Sequence, residues 1–237
     1  MHTALISDIH GNLVALDAVL AELGNESIDQ ILCLGDVVEG GPQPLAVLER
    51  LRELGCPIVM GNTDERMSTA RLDEPRTPDL PPEYATELWC VDQLTSADRA
   101  MISSFPLTMT LPLSDDTMLL GFHGSPRKNT EGIFATTSND DLAQILDGCK
   151  ATILAGGHTH TQLVRRYLDM IFINPGSVGL PYEWTTSDTH PRRPPWAEYA
   201  IVTTSHGHVS IDLRRTPINV AVVIRSAEMS GMPYSKW

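Results

Sequence analysis

Five short motifs place acids, imidazoles and one amide where they could bind metal ions. They are Asp8-Ile9-His10, Gly35-Asp36, Gly61-Asn62, His123-Gly124 and Gly157-His158-Thr159-His160. Each motif alone has an ordinary explanation, because an Asp can close a turn, an Asn can cap a helix and a His can fill space in a core. Together, however, two carboxylates, four imidazoles and one amide oxygen form a mixed nitrogen and oxygen ligand set. Such a set suits Mn, Fe, Zn or Ni better than Ca or Mg alone.

This ligand set predicts a particular kind of reaction. Two metal ions about 3.5–4 Å apart can hold the attacking and the leaving oxygen of an in-line displacement. The glycines beside the ligands let the backbone turn sharply with positive φ, which brings the ligands close together. We therefore interpret the seven residues as one metal site.

The elements around these motifs explain how the residues could meet. In the first half of the chain, strand-like runs alternate with helix-like segments, which is the pattern of βαβ units on a mostly parallel sheet. Ligands bind beyond the carboxyl ends of the strands in such sheets. The predicted strands cover residues 3–9, 28–37 and 57–62, and the predicted helices cover residues 12–23 and 42–54.

The rest of the chain predicts more strands and two segments of a different kind. Strands are expected at 107–113, 117–124 and 151–158, a hairpin at 162–176 and a closing pair at 198–205 and 208–216, with helices at 140–146 and 219–229. Residues 65–104, rich in proline and acid, are expected to form a helical insertion with helices at 83–93 and 96–103. Residues of about 180–197 have no periodicity and are expected to form an active-site loop. We expect a single domain over 1–237.

Composition limits the classes of partner. The 237 residues carry a formal net charge of −13, which disfavours a broad grip on long nucleic acid. No apolar run approaches the roughly 20 residues that span a bilayer, so we expect no membrane segment and a cytoplasmic protein. The four cysteines, widely spaced and without a C-x-x-C motif, are expected to be reduced structural thiols.

In this order, the five motifs resemble those of the calcineurin-like metallophosphoesterase superfamily, and Asn174–Pro181 is similar to a segment of its compact bacterial and archaeal branch. The resemblance implies an α/β fold, a four-layer αββα sandwich of two mixed sheets. It implies that Asp8, His10, Asp36 and His160 hold one metal ion, and that Asp36, Asn62, His123 and His158 hold the other. Asp36 would bridge the two ions, and a bridging hydroxide would attack phosphorus. Asn62 would also contact the phosphoryl group.

One position departs from the pattern of many members. The Asn of the Gly-Asn motif is often followed by a His that protonates the leaving oxygen, whereas here Thr63 follows, as is common in the compact branch. Thr63 cannot act as a general acid near neutral pH. A phosphate or nucleotide can leave without a proton, so we expect phosphoanhydrides or activated diesters, such as a dinucleoside polyphosphate or another nucleotide-like small molecule, rather than alkyl monoesters. His190, in the 180–197 loop, could supply the acid or be an ordinary exposed residue.

The sequence also gives candidate substrate-binding residues and alternative functions. Asn62, Thr63, Arg127 and His190 are our candidate substrate-binding residues, although Arg127 could equally lie in a solvated turn. A cyclic-nucleotide phosphodiesterase is one alternative. A non-catalytic scaffold, like the eukaryotic retromer subunit built on this compact fold, or a nucleotide sensor is another. We expect Mn as the metal, with Fe, Zn or Ni as alternatives, and a homodimer is possible through the insertion.

Overall fold

The computed structural model describes residues 1–69, 77, 80–114, 116–183 and 191–234. Within these residues the chain forms nine strands and seven helices. The strands are β1 (His2–Ile6), β2 (Gln30–Cys33), β3 (Thr108–Ser114), β4 (Thr117–Phe122), β5 (Ile153–Ala155), β6 (Leu163–Tyr167), β7 (Met170–Asn174), β8 (Trp196–Ser205) and β9 (His208–Pro217). The helices are α1 (Leu13–Leu23), α2 (Pro44–Leu54), α3 (Asn62–Thr69), α4 (Pro82–Gln93), α5 (Ser96–Ser103), α6 (Asn139–Ile145) and α7 (Val220–Ser230).

The strands form two mixed sheets. The first sheet has the order β2-β1-β8-β9, in which β1 and β2 are parallel and the other neighbours antiparallel. The second sheet has the order β3-β4-β5-β7-β6, with parallel pairing of β4, β5 and β7 and antiparallel edges. In both sheets the parallel strands point their carboxyl ends toward the predicted metal ligands.

Alternating burial along the strands shows how the sheets stack. On β1, Leu5 packs into a cluster between the sheets with Ile153 and Ile173 of the second sheet, whereas Ala4 and Ile6 pack outward against α1 and α2. On the second sheet, Leu154 and Phe172 face outward with residues of α6. Because side chains alternate across a strand, each sheet is buried on both faces. The result is the predicted four-layer αββα sandwich, which is confirmed.

The predicted third strand, at 57–62, was wrong in extent. Only Ile58 pairs there, in an isolated bridge with Cys33 of β2. The backbone N–H of Val59 still donates to Cys33, but that of Met60 donates to Pro106, so the segment leaves the sheet edge there. Asn62 then begins α3, a helix that the sequence analysis did not predict.

Two predicted regions lie partly outside the described residues. The 65–104 region contains the predicted helices α4 and α5, while residues 70–76 and 78–79 are outside the described part. In the 180–197 region, residues 184–190 are outside it, and the backbone of Glu183 pairs with that of Arg192. The insertion, the active-site loop and the single domain stay predictions.

All four cysteines lie in the described residues and are free thiols. No helix in the described part of the chain is both long and apolar enough to cross a membrane.

Candidate metal centre

Four strands from the two sheets bring six of the predicted ligands to one place, and the start of α3 brings the seventh. Asp8 and His10 follow β1, and Asp36 follows β2, both in the first sheet. The ligands from the second sheet are His123, after β4, and the His158 and His160 pair, after β5, while Asn62 opens α3. Asp8, His10, Asp36, His123 and His160 are buried, and Asn62 and His158 are half-buried.

The ligand atoms form two neighbouring groups, each compact enough to hold one metal ion. Asp8, His10 and His160 make the first group, and Asp36, His123 and His158 make the second. In each group the ligand atoms all lie within 4.8 Å of one another. Each group combines one carboxylate with two imidazoles, which is a donor set suited to divalent transition metals.

Asp36 connects the two groups. Its Oδ2 lies 3.3 Å from Nε2 of His123 in the second group and 3.8 Å from Nε2 of His10 in the first. Its Oδ1 accepts a hydrogen bond of 2.9 Å from the backbone N–H of Thr63, which holds the carboxylate in place. One oxygen of Asp36 therefore faces both groups.

Backbone carbonyls determine which ring nitrogen each of three histidines presents. Nδ1 of His10 lies 2.7 Å from the carbonyl of Glu39, and Nδ1 of His123 lies 2.7 Å from that of Leu34. Nδ1 of His160 lies 2.6 Å from the carbonyl of Leu180. A carbonyl can only accept, so each Nδ1 carries a hydrogen, and each neutral ring keeps its Nε2 lone pair for a metal.

Asn62 completes the second group through its side-chain amide. In one orientation the amide oxygen lies 3.1 Å from Nε2 of His123. With the amide reversed, its nitrogen would donate to that atom and to Nδ1 of His158, at 2.8 Å. In either orientation the amide lies against both histidines of the second group, where its oxygen would be a suitable ligand for a metal ion.

Asp8 provides an independent test of whether the residues fit a metal. Its Oδ1 is buried, and no residue in the described part of the chain completes a hydrogen bond to it. Nε2 of His160 lies 3.2 Å away and Nε2 of His123 lies 4.0 Å away. Buried polar atoms are normally satisfied, and a cation between these acceptors would satisfy them. The donor set therefore fits bound metal.

The electrostatics also favour a cation. Burial acts to lower the pKa of His123, but the carboxylate of Asp36 outweighs it and raises the pKa to about 10. For His160 burial again acts to lower the pKa, and the Asp8 carboxylate raises it overall. Burial would raise the pKa of Asp36, yet His123 and His10 hold it below its ordinary value. Protons on these rings occupy the position that a metal ion would take.

Five of the seven ligand residues adopt a backbone conformation that non-glycine residues rarely use. Asp8, His10, Asp36, His158 and His160 have φ between 48° and 68°. Each such residue costs of order 1 kcal/mol, and such strain clusters at functional sites. The fold thus maintains strained turns at the metal ligands, which supports a functional role for them.

Residues beyond the ligands keep these turns in position. Asp64 accepts hydrogen bonds from the backbone N–H groups of Asp36, Val37 and Gly61, at 2.8, 2.9 and 3.1 Å. Burial and the charge of Asp36 raise the pKa of Asp64 to about 7. Tyr182 stacks on the ring of His160, with centroids 4.7 Å apart and planes at 13°. The sequence analysis assigned no role to either residue.

Arg66 was also missed. It lies one helical turn after Asn62 on α3, and its Nη1 is 3.3 Å from the far end of the Asn62 amide. Glu39 and Glu87 hold the guanidinium at 3.4 Å each, and its side chain is 47% exposed. The spacing of four residues would have revealed it if α3 had been predicted.

The predicted substrate-binding residues have mixed positions. Thr63 is buried beside Asp36, and its backbone N–H is used as described above. Arg127 forms two hydrogen bonds to the carboxylate of Glu131, at 2.7 and 2.6 Å, and one to the carbonyl of Gln144. No described contact joins Arg127 to the metal ligands, and His190 lies outside the described residues. The roles of these residues in substrate binding stay predictions.

The sequence profile of the calcineurin-like phosphoesterase superfamily domain matches residues 1–207. The chain belongs to this superfamily. This confirms the family predicted from the five motifs.

Individual members of the superfamily agree with this assignment. Phosphodiesterase YfcE of Escherichia coli K12 is 27% identical over 193 residues, covering 76% of this chain and 81% of YfcE. The symmetrical bis(5'-nucleosyl)-tetraphosphatase of Pectobacterium carotovorum is 43% identical over 67 residues, only 27% of this chain and 24% of that enzyme. The metallophosphoesterase structure from Sphaerobacter thermophilus has a TM-score of 0.77 and 28% identity, covering 99% of this chain and 96% of that one. The predicted enzyme class, a phosphoesterase, is also confirmed.

Proposed function

We propose that the protein uses two divalent metal ions to hydrolyse a phosphodiester or phosphoanhydride bond in a small molecule. The observation that carries this proposal is the position of Asp36 Oδ2 between two ligand groups. A phosphodiesterase and a dinucleoside tetraphosphatase among the relatives support both classes of bond.

Each of the two metal ions would have its own set of ligands, with Asp36 shared. Asp8, His10, Asp36 and His160 would hold one ion, and Asp36, Asn62, His123 and His158 would hold the other. Two bound divalent ions would supply Lewis acid chemistry, acidifying a water molecule and neutralising charge on phosphoryl oxygens.

Two side chains at the opening of this site are placed to bind the phosphoryl group. Asn62 presents its amide there, and the guanidinium of Arg66 lies next to that amide. A guanidinium has a planar set of N–H donors that matches phosphate oxygens. We assign Asn62 and Arg66 to phosphoryl binding, and Asp36 and Asn62 remain our candidate catalytic residues.

Thr63 limits the kinds of leaving group that the proposed reaction can release. Its hydroxyl cannot donate a proton near neutral pH, and its Oγ1 is buried without a hydrogen-bond partner in the described part of the chain. Substrates whose leaving groups depart unprotonated are therefore favoured, and a dinucleoside polyphosphate or an activated diester meets this condition. Mn is the proposed metal on ligand type, with Fe, Zn or Ni as alternatives. A cytoplasmic location and a homodimer stay predictions.

The experiment compares three substrates with and without Mn²⁺: diadenosine tetraphosphate, bis(p-nitrophenyl) phosphate and glycerol 2-phosphate. We expect rapid Mn-dependent hydrolysis of the first two and slow hydrolysis of the third. Loss of a residue that only supports a metal ligand typically reduces metal affinity or activity by about 10–100-fold. Because Asp36 is itself a proposed ligand, Asp36→Asn should reduce turnover by more than this. The matched control is Asp147→Asn, an exposed carboxylate outside both ligand groups, which should keep full activity.

Each other outcome has a defined meaning. Full activity of Asp36→Asn would overturn the two-metal mechanism. Metal binding without turnover of any substrate would indicate a scaffold or sensor. Turnover of cyclic AMP, assayed as a fourth substrate, without turnover of the other three would indicate a cyclic-nucleotide phosphodiesterase.

A further inference from the structure

A cavity of about 290 Å³ lies directly beside the first ligand group. His10, Gly179 and Leu180 form its metal-facing end. Leu180 is the residue whose carbonyl holds His160, so the cavity wall contains one metal ligand, His10, and a residue that orients another. Whatever occupies this cavity would sit next to a phosphoryl group bound at the metal centre.

Helix α7 supplies another part of the cavity lining. Four apolar residues with the spacing of one helical face line the cavity: Val220, Val223, Ile224 and Ala227. None of the residues of α7 is buried, and Val220 and Ile224 are 41% and 53% exposed. The apolar face of α7 is therefore directed at the cavity and does not enter a core cluster. A helix with such a face needs something apolar to cover it.

This part of the lining is separate from the common domain of the superfamily. The family match ends at residue 207, and α7 begins at Val220. The metal centre lies within the matched region, whereas α7 lies outside it. The cavity therefore combines residues of the matched region, such as His10, with residues of α7.

The remaining lining indicates the shape and chemistry of the occupant. Four prolines line the cavity: Pro42, Pro181, Pro194 and Pro233. Proline rings are rigid apolar surfaces that lose no side-chain freedom when covered. Arg193 also lines the cavity, and a guanidinium stacks favourably on an aromatic face. Rigid apolar walls together with one guanidinium fit a flat aromatic ring better than a flexible alkyl chain.

We propose that this cavity binds a flat aromatic group of the substrate, of the nucleobase class, and that α7 is the element that selects for it. The inference rests on the proposed function, because it takes the phosphoryl group to be bound at the metal centre. It narrows the substrate to phosphate compounds that carry an aromatic group near the scissile phosphate.

The test measures binding to the Mn-loaded protein by calorimetry, using AMP and ribose 5-phosphate. These ligands share the phosphate and the ribose and differ in the base. We expect AMP to bind at least about tenfold more tightly, a difference of about 1.4 kcal/mol. Val223→Asp should abolish that preference while leaving the affinity for ribose 5-phosphate unchanged.

A neighbouring residue of the same type gives the matched control. Val222 lies outside the cavity lining and is 43% exposed, so Val222→Asp should preserve the preference for AMP. Ala227→Leu gives a second variant that keeps helix propensity and fills the cavity, and it should also remove the preference. If Val223→Asp fails to fold, Ala227→Leu by itself tests whether α7 is responsible for the preference for AMP.

The failure of this inference is distinguishable from failure of the proposed function. Equal affinity for AMP and ribose 5-phosphate in the wild type would overturn the aromatic subsite even if bis(p-nitrophenyl) phosphate is hydrolysed. A preference for AMP that survives both Val223→Asp and Ala227→Leu would overturn the role of α7. If both variants abolish the preference for AMP but no substrate is hydrolysed, the aromatic subsite would be supported and the proposed hydrolytic function rejected.

Discussion

Gly61→Ala tests whether the strained turns of the metal centre tolerate even one added methyl group. A Cβ at Gly61 would lie less than 3.0 Å from Oδ1, Cγ and the backbone N of Asp36. The carboxylate would have to retreat by at least about 1 Å to reach an ordinary contact distance. Rotating the side chain cannot relieve the clash, because the backbone N of Asp36 is also too close.

The expected magnitude follows from this displacement. Moving Asp36 breaks its 2.9 Å hydrogen bond from Thr63 and shifts the oxygen that faces both ligand groups. Misplacing a catalytic group by about 1 Å costs about 100-fold in rate. Overpacking a rigid interior costs about 1–3 kcal/mol of the free energy of unfolding. We therefore expect activity to fall by about 100-fold or more in a protein that still folds.

The control is Gly55→Ala, at the left-handed end of α2. Its φ is 65°, and a Cβ there would meet no atom within 4 Å. It should cost about 1 kcal/mol in stability through backbone strain and leave activity unchanged. The assay is Mn-dependent hydrolysis of bis(p-nitrophenyl) phosphate, with bound Mn and thermal unfolding measured on the same samples. Gly61→Ala protein that folds and keeps more than a tenth of the wild-type rate would refute the reasoning.

Two further predictions concern the leaving group and a helix cap. Thr63→His would place an imidazole beside Asn62 and should accelerate hydrolysis of glycerol 2-phosphate by about 100-fold; an unchanged rate would show that Thr63 does not limit the choice of leaving group. The carboxylate of Asp98 completes the capping box of α5 with Thr95 and pairs with Arg52 at 2.8 Å. Asp98→Asn should therefore lower the free energy of unfolding, measured with urea at pH 7, by about 1 kcal/mol. Hydrogen bonds from Thr95 and Arg52 lower the pKa of Asp98, so its stabilisation is present above the ordinary value of 3.8 and is lost as the pH falls through the lower folded value. A difference between Asp98→Asn and wild type that stays constant from pH 7 to pH 3 would contradict this linkage.

The positions of the ligands in the fold could be predicted from sequence because two local signals coincide there. Apolar runs mark strands, and each ligand motif stands where such a run ends. The carboxyl ends of parallel strands meet at one edge, so Asp8 and Asp36, which follow the parallel strands β1 and β2, had to converge. Since α1 begins directly after Asn12, whose side chain accepts a hydrogen bond from the N–H of Ala15, its start was predictable as well.

Helix α3 shows where local signals fail. Its sequence, NTDERMST, contains a single large apolar residue, Met67, so no amphipathic pattern marks it as a helix. Long-range contacts help to determine its position, since Asp64 accepts hydrogen bonds from the backbone N–H groups of Asp36 and Val37 in addition to the local one from Gly61. With α3 unpredicted, Arg66 could not be placed beside Asn62, and a phosphoryl-binding candidate was lost with it.

The contacts that orient the histidines could not be predicted from residue types. His10 and His160 are oriented by the carbonyls of Glu39 and Leu180, and any residue has a carbonyl. The left-handed backbone at the ligands is equally hidden, because it lies at Asp and His residues and not only at neighbouring glycines such as Gly11 and Gly35. Such features depend on the tertiary structure that holds the turns, and no spacing rule predicts them.

The two sheets make the site together, and neither could make it alone. The first ligand group joins Asp8 and His10 from the first sheet to His160 from the second. The second group joins Asp36 from the first sheet to His123 and His158 from the second. Because each ion would link both sheets, the relative position of the sheets determines both ligand geometries at once. The apolar cluster between the sheets, where Leu5 meets Ile153 and Ile173, is therefore part of what positions the metal centre.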